Sequence, residues 1–356
     1  MAHHLYVFGS NGEGQLGIPA ADIVDTPTLV STIDSLETLS SVHGGDNHTL
    51  LFTVRGEVYG VGDNRKAQLI PGAGEASCLD TFKLLKSGLS FTAAACESSA
   101  YVTTHEPSTQ STVRAQGQGL WGELGYGEDI TSIGTDGDLS AALQITLPGR
   151  VIDFAAGVWH YVAILDDGSV YGWGKGRVGQ LGEQLSGKVG QPTKLENIPF
   201  KPQRVVCGLD FTYLVGHPST GEHIILGKDK NKIISSMPHN IHGWKDIGAT
   251  WQAIFVLLDN GKLIAWGRNQ MWELIPPALP LIDKIAVGSE HILAVTQDGK
   301  LISWGWGKHG NCGNLANLKD KINMDMVSGL WNEIELPGKV EFIGAGACTS
   351  FVVTRA

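Results

Sequence analysis

Cysteine is scarce and poorly placed for a framework. Its five residues, Cys78, Cys96, Cys207, Cys312 and Cys348, are odd in number and form no C-x-x-C pair. A disulfide scaffold and a cysteine-rich zinc site are therefore not expected. Long apolar runs are missing as well: Ala253 to Leu258 is among the longest, far short of a membrane span. The opening residues, MAHHLYVFGS, show no basic segment followed by a long apolar one, so no secretory signal is expected. Positive charge is in deficit, with 26 Lys and Arg against 36 Asp and Glu and a formal net charge of −10. Nonspecific attraction to nucleic acid or to an anionic membrane is not expected of such a chain. Together these absences point to a soluble protein of a reducing compartment, in which the Asn47-His48-Thr49 sequon stays unglycosylated.

What is abundant is glycine: 47 residues in a chain of 356 that is 42% hydrophobic and 17% charged. That composition can bury a sizeable core and implies many tight turns. The stretch SWGWGKHGNCG, from Ser303 to Gly313, contains a G-x-G-x-x-G pattern that elsewhere marks a dinucleotide loop. The pattern recurs, however, from Gly12 to Gly17, Gly117 to Gly122 and Gly174 to Gly179. None of these opens into a stretch with helical periodicity, so no helix dipole is available for a pyrophosphate. A nucleotide enzyme is rejected, and the recurrence becomes the signal.

Aligned on these glycines, the chain reads as a repeat: apolar strand, Gly or Ala, a polar pair, often His, a second strand, Asp-Gly, a third strand, then Trp-Gly. The clearest copies are VHGGDNHTLLFTVRGEVYGVGDN from Val42, FAAGVWHYVAILDDGSVYGWGKG from Phe154 and IAVGSEHILAVTQDGKLISWGWG from Ile285, with identical glycine spacing. Weaker copies end at Gly117, Gly227 and Gly267, the first two with longer hairpin loops, Thr104 to Thr112 and Gly216 to Glu222. A further copy is split, FIGAGACTSFVVT at the C-terminus supplying two strands and LYVFGSNGEGQLG at the N-terminus the last. Short strands joined by Asp-Gly turns cannot bury both faces alone and must stack on their neighbours. The expectation is an all-β fold, a seven-bladed β-propeller spanning residues 1–356 as one domain, with one blade closed by N- and C-terminal strands.

Candidate chemistry is sparse. His48, His160 and His291 share one repeat position, which favours a structural role, a ring nitrogen satisfying a backbone carbonyl. Acids adjoin two of them, but no serine or cysteine is singled out as a nucleophile, so no catalytic residue is assigned. His3-His4 and His239 with His242 could hold a metal, yet neither pair has an evident supporting shell, and no metal or cofactor is assigned. Trp173, Trp266 and Trp304 fall on third strands and are expected to wedge between blades. Trp159, Trp251, Trp272, Trp306 and Trp331 fall in turns or inserts, where packing and partner contact are equally open. Lys228-Asp229-Lys230-Asn231-Lys232 reads as a solvated basic turn.

The repeat resembles that of the regulator-of-chromosome-condensation propellers, over essentially the whole chain. Closer still is the resemblance to a fungal subgroup of that family. It is carried by VFGSNGEGQLG with Asp25-Thr26-Pro27, GDNR at Gly62, ATW at Ala249, GSEH at Gly288, WGWGKHGNCG at Trp304 and GAGACTSFVV at Gly344. The resemblance implies a non-catalytic scaffold pairing, as a heterodimer, with a small CSL-type zinc protein. That protein serves diphthamide synthesis on elongation factor 2 and Elongator-dependent modification of the tRNA wobble uridine. It also implies a cytoplasmic location, extending to the nucleus, without direct nucleic-acid or membrane contact. The competing reading is a guanine-nucleotide exchange factor for a Ran-like GTPase, using inserts at Tyr126 to Gly149 or Gly313 to Gly338 as wedges. Partner-binding residues are expected at Trp251, Glu290, His291, Cys348, Trp159 and Thr349, where second strands begin. Trp306, Lys308 and His309 are expected on the opposite rim.

Overall fold

The protein is described from a computed structural model, over residues 2–30, 39–71, 77–104, 109–134 and 143–356. Strands of two to ten residues, buried throughout in second strands such as His160–Leu165 and partly exposed in outer ones, with glycine-bearing turns between them, form seven antiparallel sheets arranged as blades. The innermost strands are Leu39–Gly44, Phe91–Ala94, Val151–Ala156, Arg204–Cys207, Trp244–Ala249, Ile282–Val287 and Lys339–Ala345. Each contacts the innermost strand of the next blade, and Lys339–Ala345 contacts Leu39–Gly44, so the ring closes.

Closure is made within one sheet. His3–Asn11 pairs on one side with Thr349–Arg355, in register from His3 with Arg355 to Gly9 with Thr349. On its other side it pairs with Ala21–Val30. The N-terminus thus contributes two strands, one more than the repeat suggested. The same difference runs through the molecule. The repeat reads as three strands, but five blades carry outer pairing beyond the third strand, and only those beginning at Arg204 and Trp244 stop at three. The segment expected as an insert from Gly313 to Gly338 holds one such strand, Met326–Ile334. The other, Tyr126 to Gly149, supplies Ser132–Ile133 and Ile145–Leu147, and its residues 135–142 lie outside the described residues, as do 105–108 of the Thr104 to Thr112 loop. Outer strands escaped the repeat because their buried residues are few and irregularly spaced and they follow loops of variable length.

Blade interfaces form the core. Trp173 and Trp304 are fully buried against the preceding blade's turn, and Trp266, nearly so, packs edge-on against Tyr213 and His223 on strands of the preceding blade. Two of the indoles reach that turn directly, Trp173 Nε1 to Glu123 O at 2.9 Å and Trp304 Nε1 to Leu274 O at 2.9 Å. The recurrent closing turn carries its own device. Backbone N–H groups of Glu13, Lys66, Trp121 and Val178 donate to the side chains of Gln15, Gln68, Glu123 and Gln180 at 2.7 to 3.0 Å. All four side chains are buried, so the turn's inner donor is satisfied without water.

Candidate functional site

The three repeat histidines are blade-to-blade pins. His48, His160 and His291 are almost wholly buried, and each Nε2 meets a hydroxyl of the next blade: Ser99 at 3.1 Å, Thr212 at 3.0 Å and Ser350 at 3.0 Å. Thr212 and Ser350 donate their own protons to the Gln180 and Asn311 carbonyls at 2.8 and 2.7 Å. The His160 and His291 rings must therefore donate from Nε2, and all three rings meet hydroxyls rather than the carbonyls expected. Burial holds all three neutral, pushing His48 and His160 down to about 4 and His291 to about 3. The marker glycine before each is explained by the same ring: a Cβ at Gly157 or Gly288 would run into the imidazole. His291 and Thr349 are buried at 0% and 4% exposure, so these two predicted contact residues present no surface to a partner.

The remaining four gather at one mouth of the central channel, a cavity of about 520 Å³ bounded by the seven innermost strands. Backbone hydrogen bonds run from blade to blade around this mouth: Leu209 N to Trp251 O at 2.9 Å, Trp251 N to Ser289 O at 2.9 Å and Ser289 N to Ala347 O at 3.0 Å. Trp251 and Trp159 stand half-buried there. Lys175 Nζ lies 4.1 Å from the Trp159 ring centre and 5.6 Å from that of Trp121, and pairs with Asp210 at 3.4 Å. Burial pushes the Glu290 carboxyl up, against a hydrogen bond from Trp272 and the field of Arg268. Burial likewise raises the Cys348 thiol, whose sulfur sits 3.7 Å from Ser289 Oγ. Cys96, also at the mouth, is pushed up to about 12 by burial first and then by Asp46. Burial thus keeps the repeat histidines neutral and the thiols of Cys348 and Cys96 protonated at this mouth.

One expectation fails outright. The turn after the third strand does not lie on the rim opposite the second strand's start. A three-strand antiparallel meander runs up, down and up, so both sit at the same end. The register demonstrates it: His291 opposes Gly305, and Trp306 N donates to Glu290 O at 2.8 Å. Trp306, edge-on to His309 at 5.2 Å, therefore shares the rim of Trp251. Trp272 is core, 3% exposed and stacked on Phe255, and Trp331 lies on an outer strand. His3 pairs with Glu341 at 2.9 Å, while His242 Nδ1 meets the Ser219 carbonyl at 3.1 Å.

Sequence reasoning missed Trp121, Lys175, Asp210, Gln252 and Arg268, which the blade ring brings to the same mouth. Lys175 and Arg268 both follow the third-strand glycine, at Gly174 and Gly267, and Asp210 and Gln252 both precede the histidine position, so the repeat gave their placing but their varied chemistry gave no cue to a shared site. At the far end of the channel Arg204 bridges Asp153 and Asp246 at 3.3 and 3.7 Å.

The geometry defines a closed seven-bladed β-propeller with an aromatic and charged rim. Family models of the regulator of chromosome condensation (RCC1) repeat match residues 3–52, 151–180, 167–215 and 282–311. It is 29% identical over 380 residues to an RCC1 repeat-containing protein of Schizosaccharomyces pombe, covering 98% of both chains. It is 25% identical to a secretion-regulating guanine nucleotide exchange factor of Mus musculus, over 99% of this chain and 83% of that one. The fold matches the crystal structure of Prp20p from Saccharomyces cerevisiae with a TM-score of 0.78 at 18% identity, covering 99% of this chain and 92% of that one.

Proposed function

We propose that the protein is a non-catalytic scaffold that holds a protein partner on the rim carrying Trp159 and Trp251. The supporting observation is that these half-buried tryptophans sit at a concave mouth whose backbone is cross-linked from blade to blade. Large aromatics already held in place lose little side-chain freedom on docking, which is why they serve as interface anchors. Trp251, Glu290, Cys348 and Trp159 supply the contact surface, and His291 and Thr349 support it from behind.

The partner is taken to be the small CSL-type zinc protein, in a heterodimer of the kind formed by fungal alpha-tubulin-suppressor, or killer-toxin-insensitivity, propellers. On that reading the chain assists diphthamide synthesis and Elongator-dependent tRNA modification, in the cytoplasm and nucleus. Motif order from VFGSNGEGQLG to GAGACTSFVV supports it. A second reading, exchange factor for a Ran-like GTPase, is favoured by the mouse relative, a secretion-regulating guanine nucleotide exchange factor, and by Prp20p, which binds Gsp1p and histones. Against it, both expected wedge segments contribute strands to blade edges. Co-purification with the zinc protein, run beside nucleotide release from a Ran-like GTPase, separates the two. Stable zinc-protein capture without faster release supports the scaffold; catalysed release without capture overturns it.

A further inference from the structure

We infer that the sector of this rim around Asp210 is built to receive an acidic segment of the docked partner. The inference rests on the reading of the rim as a docking surface and specifies the chemistry it takes. One carboxylate, Asp210, faces two ammonium groups, Lys175 at 3.4 Å and Lys230 at 3.7 Å. Beyond it, Gln252 Oε1 accepts from Asn231 at 2.8 Å and from Arg268 at 3.3 Å, joining the blades that begin at Arg204 and Trp244. Among the described residues, Arg177, Lys228 and Arg268 make no ion pair with a carboxylate. Cations therefore outnumber acids here, in a chain whose formal net charge is −10.

The basic turn is held in shape rather than loosely solvated. Asp229 Oδ1 accepts the N–H groups of Ile234 and Ser235 at 2.8 and 2.9 Å. Asn231 and Lys232 both adopt left-handed backbone, φ 57° and 59°. Two successive non-glycine residues there are strained, and such strain persists where the surroundings enforce a particular presentation. Lys175, its side chain only 14% exposed and stacked on Trp159, is partly stripped of water, which strengthens its attraction for an incoming carboxylate. The opposite side of the mouth is mixed in charge: Asp46, Asp63 and Glu97 line a cleft there with Arg65 and Lys66, and Arg65 pairs with Asp63 at 2.8 Å. A protein segment with patterned carboxylates fits this field better than a nucleic acid does.

The test titrates the full chain with a labelled synthetic peptide of alternating Glu and Leu, at two salt concentrations, with a single-stranded oligonucleotide of equal charge for comparison. The peptide is expected to bind more tightly than the oligonucleotide and to weaken with salt. Lys230→Glu combined with Arg268→Glu is expected to weaken it by about tenfold or more, while Lys262→Glu, on the hairpin at the other end of the blade that begins at Trp244, leaves it unchanged. Melting curves check folding; if reversal lowers them, Lys230→Gln with Arg268→Gln gives the same direction with a smaller loss. Unaltered peptide affinity in the folded variants, or tighter binding of the oligonucleotide, overturns the inference. The zinc protein separates it from the parent reading. If Trp251→Ala abolishes zinc-protein binding while the charge variants keep it, the docking rim stands and the acidic segment falls. If the zinc protein never binds, that partner falls, and the peptide titration still decides the chemistry of this sector.

Discussion

Glu123 occupies a position that glutamine fills in three sister turns, and replacing it by glutamine should stabilise the protein in a pH-dependent way. Its carboxylate accepts the Trp121 N–H at 2.7 Å, as Gln15, Gln68 and Gln180 accept theirs. A neutral amide makes that bond without a buried charge. Burial lifts the Glu123 carboxyl from 4.5 to about 7, against backbone N–H donors and Lys188, which lower it. A carboxylic acid raised on folding keeps its proton in the native state over a window where the unfolded chain has lost it. Stability therefore falls as pH rises from about 4.5 to about 7, and the penalty is complete above that. The rise corresponds to about 3 kcal/mol at pH 8. In a chain of 356 residues the unfolding entropy converts this to about 4 °C in Tm. Denaturant and thermal melts of Glu123→Gln against wild type should show that gap at pH 8 and less than about 0.5 kcal/mol at pH 4.5. A gap of equal size at both pH values, or a variant less stable at pH 8, refutes the assignment of a buried, protonated carboxyl.

Other expectations follow from the same structure. Deleting residues 1–9 removes most of the strand that joins Thr349–Arg355 to Ala21–Val30 and should cost several kcal/mol, on the order of a lost ladder with its apolar face, with aggregation on heating; unchanged melting contradicts the closure. His160→Ala should destabilise by about 1 kcal/mol or more while partner affinity, measured by calorimetry, stays nearly intact. Because burial depresses the three pinned histidines, wild-type stability should fall as pH drops below the unfolded value of 6.5, and a denaturant series across that range reads it. Cys96, pushed up to about 12, should resist iodoacetamide at pH 8 despite its place at the channel mouth, as mass spectrometry of the alkylated chain would reveal.

Much of the fold was legible because its punctuation is rigid. Gly157 and Gly288 are fixed by the imidazoles behind them, and Gly305 by a positive φ of 104° that side chains rarely adopt. Such positions recur at constant spacing, so the blades and the split closure could be read directly. The outer strands could not, because Ala21–Val30 is largely exposed and carries little apolar alternation. The rim was only half legible. Trp159 and Trp251 announced themselves as aromatics in turns, but Lys230 meets Arg268 and Gln252 only when the blades that begin at Arg204 and Trp244 are side by side. Placing Trp306 on the wrong end came from counting turns rather than strand directions.

The central claim is that the rim of Trp159 and Trp251 docks the partner while the opposite end of the ring does not. Calorimetry of the small CSL-type zinc protein with the wild type, Trp251→Ala and Val54→Ala tests it most directly, since Val54 is 74% exposed on a hairpin at the other end. Trp251→Ala should weaken binding by about 2 kcal/mol, roughly 30-fold, with little change in Tm, and Val54→Ala should bind as wild type. Full affinity in Trp251→Ala together with loss in Val54→Ala would contradict the account.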